Sequence, residues 1–279
     1  MNAEKTASVA DMQKVILEIF IEVKKILEKH NIRYFAIGGT CIGAVRHKGF
    51  IPWDDDLDIA IAGDDYKKFL EIAPLELPEH LQLRTPNDSK HSLIFFSKVH
   101  NVNTTFVEKS DEGYPDCYKG LFIDIMPLYG VPFPSKRYQT VIKLLRKINI
   151  ACRRPIGTRN LLKEIPFLPF RIFNRLYGND FWYNKWFNFM SKYSFDTAEY
   201  VGYTWSKPSE RLTFPKAWFE DYVDMPFEST TIRCPAKWHE YLSKQFGDYM
   251  KLPPEDKQCS NHFATLVDLE NPYTLYLDK

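Results

Sequence analysis

Asp54, Asp55, Asp56 and Asp58 stand within five positions, directly before the apolar run Ile59-Ala60-Ile61. The pattern Asp56-Leu57-Asp58-Ile59 has the two-residue period of a strand, so Asp56 and Asp58 share one face while Leu57, Ile59 and Ile61 turn to the core. Their Cα atoms are then roughly 6.7 Å apart. Two carboxylates at that spacing repel by about 2.5 kcal/mol at an effective dielectric of 20. A cation should relieve the strain, and oxygen-only ligands suit Mg²⁺ or Mn²⁺. Neither His nor Cys sits beside the pair, as zinc would require. Asp54 has the same parity and could contribute if the strand bends at its entrance. Asp55 is expected to face away.

Upstream, the apolar run Tyr34 to Ile37 stops at Gly38-Gly39 and passes into Thr40 to Arg46, a strand, a glycine turn and a short helix beginning near Thr40. Such a turn exposes backbone N–H groups and a helix N-terminus to a phosphate. Between glycines and acids, Arg46, His47 and Lys48 are cations that could clamp a phosphate, and His47 could equally be packed or acid-base active. A third acid, Asp124, lies at the centre of the buried-looking strand Gly120 to Leu128. A charge there must be paired or bind metal. Lys98, on an expected strand upstream, is placed to point toward the site.

The string GGTCIGAVRHKGFIPWDDDLDIAI, residues 38–61, resembles the LicD family, whose members carry G-T-L-L-G-A-V-R-H-x-G-F-I-P-W-D-D-D-I-D-I. Cys41-Ile42 replace two leucines and Leu57 an isoleucine, all apolar exchanges. The family's F-x-D-I-x-P-L element is matched at Asp124. Its closing block is matched from Phe214 to Pro254, with Phe246 for a tyrosine and His262 in the place of a following histidine. The resemblance runs over roughly residues 30 to 262 and is weakest in the middle.

It implies an α+β, nucleotidyltransferase-like (polymerase-beta-like) mixed sheet with flanking helices and a largely helical C-terminal half. It also implies a phosphotransferase moving a phospho-head group, phosphocholine from CDP-choline in many relatives, to a hydroxyl of a glycan such as a teichoic acid or surface polysaccharide precursor. In that scheme Asp56, Asp58 and Asp124, with Asp54, hold one or two Mg²⁺ ions. Gly38, Gly39 and Thr40 cradle the diphosphate, Arg46 and Lys48 offset charge on the leaving CMP, and Asp124 accepts the acceptor's proton. His47, Lys98 and His262 complete the substrate-binding set. Other CDP-linked head groups (ethanolamine, ribitol, glycerol), an NTP-dependent nucleotidyltransferase, and an inactive glycan- or membrane-binding protein remain open.

The elements that must position these residues are legible in part. Asp11 to His30 carries Val15, Ile16, Ile19, Phe20, Val23, Ile26 and Leu27 at helical spacing, an amphipathic helix over residues 1–30 that Asn31 closes. The remainder, 31–279, reads as a single domain. Asp64 is expected to cap a helix through about Ala73, and two strands, His91 to His100 and Asn103 to Lys109, are expected around a short turn.

Between about 134 and 205 the composition turns basic, then aromatic. Over 136–175 the only acid is Glu164, while eleven lysines and arginines alternate with apolar residues. Such a surface fits anionic headgroups or a lipid-linked, phosphate-bearing acceptor. The rings from Phe181 to Tyr203 are expected to be mostly core, with enough left to cage a quaternary ammonium.

The 279 residues, 44% hydrophobic and 15% aromatic, suffice for a sizeable core. A net charge of +1 argues against a general nucleic-acid surface. Five cysteines without CxxC spacing suggest neither a disulfide framework nor zinc, and with a polar N-terminus they suggest a reduced, cytoplasmic setting, with contact to the inner face of a membrane left open.

Overall fold

In the computed structural model, which describes residues 7–109, 111–114, 116–133, 135–154, 164–203, 210–260 and 264–276, the chain opens with a capped helix. Ser8 accepts the Asp11 N–H at 3.1 Å and starts α1 (Val9–Lys29). Its apolar stripe, Ile16, Ile19, Phe20, Val23 and Leu27, is fully buried and belongs to the same core as the strands that follow. Asn31, at φ +52°, turns the chain into β1 (Tyr34–Ala36).

Next come α2 (Gly38–His47), β2 (Asp58–Ala62) and α3 (Gly63–Glu76). The helix α2 begins at the glycines themselves, two residues before the expected start. In α3, Ala62 is the N-cap without a side-chain bond, Asp64 lies in the first turn, and Pro74 is inside the helix instead of ending it. Then follow β3 (Leu81–Arg84), β4 (Ser97–Asn101), β5 (Thr105–Glu108) and β6 (Phe122–Gly130).

These strands build a mixed, seven-stranded sheet in the order β1-β2-β6-β4-β3, extended by β7 (Tyr200–Gly202) on β6 and β8 (Thr213–Pro215) on β7. Only β2 and β6 pair in parallel; every other ladder is antiparallel. All nine residues of β6 are buried, as a central strand covered on both faces requires. The two strands expected around a short turn near residue 102 form as β4 and β5, and they join different sheets. While β4 joins the main sheet, β5 leaves it to pair with β11 (Ala264–Asp268), because Asn101 N–H is taken by the Leu121 carbonyl and Phe106 N–H by that of Lys119.

The second half is mostly helical in its first part, with α4 (Lys136–Arg153), α5 (Leu168–Tyr177) and α6 (Phe181–Met190), and mixed after it. Trp186 and Tyr183 pack with Phe95, Tyr129, Tyr138 and Ile142 into a second core between α4, α6 and the sheet. Beyond residue 200, short strands alternate with turns, including the hairpin β9 (Tyr222–Phe227) and β10 (Thr230–Pro235), before α7 (Trp238–Phe246).

Candidate functional site

Parallel pairing of β2 with β6 sets Asp58 directly opposite Asp124, one strand spacing apart. Antiparallel pairing of β6 with β4 sets Lys98 opposite Asp124 on the other side. Three neighbouring strands thus present Asp58, Asp124 and Lys98 in one row. Lys98 Nζ lies 3.3 Å from Asp124 Oδ1 and 3.4 Å from Glu108 Oε2, over the Phe122 ring at 3.2 Å from its centroid. Burial alone would discharge this ammonium, but the carboxylates of Asp124, Glu108 and Asp111 outweigh it and hold Lys98 charged. The opposite holds at Asp58. Burial, then the carboxylates of Asp56, Asp124 and Asp54, push its carboxyl well above the usual range, and Lys98 only partly offsets them.

Asp56 and Leu57 precede β2 as extended chain, and the two-residue alternation is kept, with Leu57 and Ile59 buried and Asp58 half-buried. Asp55 is buried, 4% exposed, as are Leu57 and Ile59, whereas Asp54, Asp56 and Asp58 are half-buried.

Opposite the acids lies the start of α2. Gly38 has φ +57°, a conformation that glycine adopts without strain. A Cβ on it would meet Asp58 Oδ2 at 3.3 Å, and one on Gly39 would meet Asp54 Oδ2 at 2.6 Å. The glycines therefore let the first turn of a helix close onto two carboxylates. Thr40 ties turn to strand, its Oγ1 accepting the Asp58 N–H at 2.8 Å, while Ile37 N–H donates to the Asp58 carbonyl at 3.2 Å.

The expected basic clamp is placed differently. Arg46, His47 and Lys48 lie at the far end of α2, about 13 Å along its axis from Gly38. Arg46 donates Nη1 to the Tyr249 carbonyl at 2.6 Å and Nε to His47 Nε2 at 2.9 Å. Burial, then that arginine, lowers the His47 imidazole below its usual range, and Lys48 takes the left-handed conformation that ends the helix. The structure does not bring these three side chains into the carboxylate row. His262 lies outside the described residues.

Residues with no motif of their own hold the site in place. Gly38 N–H donates to Tyr241 Oη at 2.8 Å; Tyr241 in turn bonds Tyr203 Oη at 2.8 Å, which donates to Gln245 Oε1 at 2.5 Å. Gln13, on the polar side of α1, donates to the carbonyls of Ile51 and Asp54 at 3.0 and 2.8 Å. Glu228, at the tip of the β9–β10 hairpin, accepts the Phe50 N–H at 3.0 Å. Each contact spans more than thirty residues of sequence, so no local pattern announces it.

The donor set is chemically suited to a hard divalent cation: carboxylate oxygens only, with burial first and the neighbouring carboxylates next raising Asp58. Among the described residues no three His, Cys, Asp or Glu side chains already stand close enough to cage an ion. Lys98 supplies the positive charge at Asp124 in this structure. Beside it a pocket of about 100 Å³ is lined by Arg84, Lys98, Glu108, Asp111 and Tyr118, among others. The rings of α6 do not line it; Trp186 is fully buried against Phe95, with ring centroids 4.8 Å apart.

Comparison with known proteins places this geometry. A family model described as LicD/FKTN/FKRP, nucleotidyltransferase domain, matches residues 31–143, which hold the glycine turn, Asp54, Asp56, Asp58, Lys98 and Asp124. Lipopolysaccharide cholinephosphotransferase LicD of Haemophilus influenzae is 30% identical over 268 residues, covering 92% of this chain and 97% of that protein. Shorter likenesses are to an uncharacterized protein of Rickettsia typhi, 44% identical over 59 residues (21% of this chain, 19% of that one), and to human ribitol 5-phosphate transferase FKRP, 45% identical over 40 residues (14% and 8%).

Proposed function

Because the chain belongs to the LicD family and is a transferase of that type, we propose that it moves phosphocholine from CDP-choline to a hydroxyl of a cell-surface glycan precursor, a teichoic acid or polysaccharide chain. The observation that carries this reading is the register of β2 with β6, which sets Asp58 beside Asp124 under the glycine turn of α2. That juxtaposition supports a nucleotidyltransferase-like catalytic half.

In this reading the acceptor oxygen attacks the phosphorus that bears choline, the bond to the bridging oxygen of the diphosphate breaks, and CMP leaves with the electron pair. The acceptor's proton passes to Asp124. Asp56, Asp58 and Asp124, with Asp54 at the entrance, would hold Mg²⁺ or Mn²⁺. When bound, the metal neutralises diphosphate charge and stabilises the entering and leaving oxygens. The N-terminus of α2 closes on the same carboxylates, a place where a phosphate is favoured, with its Gly38 N–H held by Tyr241. Thr40, Tyr241 and Gln13 act as positioning residues, holding the turn and the acid loop in register. Lys98 balances Asp124 and stands ready for charge developing on the transferred group. Arg46, fixed on Tyr249, serves the fold of the loop.

The test is CMP release by the purified protein, with Mg²⁺, from CDP-choline, CDP-ethanolamine, CDP-ribitol and CDP-glycerol in the presence of glycan acceptor, beside incorporation of label from an NTP. CMP release highest from CDP-choline is the expected result. A preference for another CDP-alcohol would move the head group, and transfer of the nucleotide itself would overturn the reading.

A further inference from the structure

Helix α5 is built inside out. Two of its polar side chains turn toward the protein: Arg171 donates Nη2 to Glu164 Oε2 at 2.7 Å and Nη1 to the Arg154 carbonyl at 2.9 Å, and the buried Asn174 donates to the Asn179 carbonyl at 3.0 Å, while Arg175 stays exposed. Its apolar side chains turn outward. Leu168, Ile172, Phe173, Leu176 and Tyr177, spaced by four along two adjacent rows, are between 45% and 72% exposed. Water is the wrong solvent for that face, and a contiguous apolar patch of this kind marks an interaction surface.

The charge around the patch selects the partner. The acid within 136–175, Glu164, is buried against Arg171 and neutralised there. The exposed ionic side chains on α4 and α5 are therefore all cationic: Lys136, Arg137, Lys143, Lys147 and Arg175. An apolar face on α5, packed by Arg171 on the C-terminal end of α4, with exposed cations and no exposed acid on these two helices, complements phosphate headgroups above acyl chains. The helix has ten residues, about 15 Å, and among the described residues no helix is long and apolar enough to cross a membrane.

We propose that α5, with the exposed cations of α4, docks this protein onto an anionic phospholipid bilayer. The helix lies in the interface plane, Ile172 and Leu176 enter the boundary between headgroups and acyl chains, and the lysines and Arg175 meet lipid phosphates. This surface is distinct from the carboxylate row and does not depend on the transferase reading.

The full-length protein is floated with vesicles of phosphatidylglycerol mixed with phosphatidylcholine, and with phosphatidylcholine alone. The expected result is binding to the mixed vesicles at least tenfold stronger than to the neutral ones, weakening as salt is raised. The I172E/L176E variant, whose changes fall on exposed side chains, loses at least tenfold of this binding while its circular dichroism and thermal melt stay unchanged. The K143Q/K147Q variant loses about fivefold for each charge removed, on the anionic vesicles only. Failure of the wild-type chain to float, or equal flotation of I172E/L176E, overturns the proposal. So does a wild-type dimer in sedimentation that I172E/L176E splits, since that result assigns the face to a second copy of the chain.

Discussion

Replacing Asp58 by Asn should abolish transfer and, in the absence of divalent ions, make the folded protein more stable. In the row of strands, Asp58 stands one ladder spacing, about 4.8 Å, from Asp124. Two carboxylates near 5 Å repel by about 3 kcal/mol at an effective dielectric of 20. Asp56 and Asp54 add to this, as the raised Asp58 carboxyl shows, whereas Lys98, at 3.3 Å from Asp124, cancels part of it. With Asp58 only half-buried, a net relief of about 1–3 kcal/mol is reasonable, a rise of roughly 2–10 °C in melting temperature for a chain of this size. Asn keeps the volume and shape, so no cavity opens. Calorimetry in EDTA and in Mg²⁺ reads both halves of the argument. The wild type should gain stability from Mg²⁺ and the variant little, while CMP release from CDP-choline disappears in the variant. A variant that melts below the wild type in EDTA, or one that keeps full transfer, would refute the electrostatic account of this site.

Lys98→Met should cost about 3–5 kcal/mol in urea unfolding, because it strands the buried Asp124 without its ammonium; adding D124N to it should recover most of that loss, and a double variant no more stable than K98M would show that the pair is not coupled. Tyr241→Phe removes the acceptor of the Gly38 N–H and should cost about 1–3 kcal/mol, with an unchanged urea midpoint counting against the tyrosine pair as the support of the turn. His100 is pushed down to about 3, first by burial and then by Lys98, while its Nδ1 donates to the Gly120 carbonyl at 2.9 Å. The unfolded chain takes up this proton near pH 6.5 and the folded one does not, so the neutral His100 contributes stability above pH 6.5 that is lost as pH falls toward 3. The H100Q variant should show a shallower fall in urea midpoint across that window than the wild type, and parallel curves would exclude His100 as a source of acid sensitivity.

Much of the site's inventory is visible in the chain itself because it is local. The alternation of Asp56, Leu57, Asp58 and Ile59 survives folding, since strand period alone decides which side chains share a face. The glycines at 38 and 39 mark a close approach, and the structure shows what approaches: the carboxylates of Asp58 and Asp54. The place of the basic triplet depends on a longer stretch of chain. A loop containing Gly49 was expected to return Arg46, His47 and Lys48 toward the acid strand, and the structure sets them at the C-terminal end of α2, with Arg46 bonded to the Tyr249 carbonyl. Of the rings from Phe181 to Tyr203, expected to be mostly core, Tyr183, Trp186, Phe195 and Tyr203 are buried and the others half-buried, and the pocket beside Lys98 takes its lining from elsewhere.

By itself the chain determined the kinds of atoms available: a cluster of carboxylates on a strand, a glycine turn before it, a lone acid in a buried strand, and a basic, apolar stretch. Periodicity and composition are short-range properties, and they are enough to identify such pieces. Tertiary structure alone decided that β2 and β6 run side by side with Asp58 against Asp124, that Lys98 neutralises that acid, and that Tyr241, two hundred residues away, holds the turn. It also decided that α5 turns Arg171 and Asn174 inward. Strand order, register and the choice of helix face are settled by which burial satisfies the whole core at once, and that balance is written in no single segment.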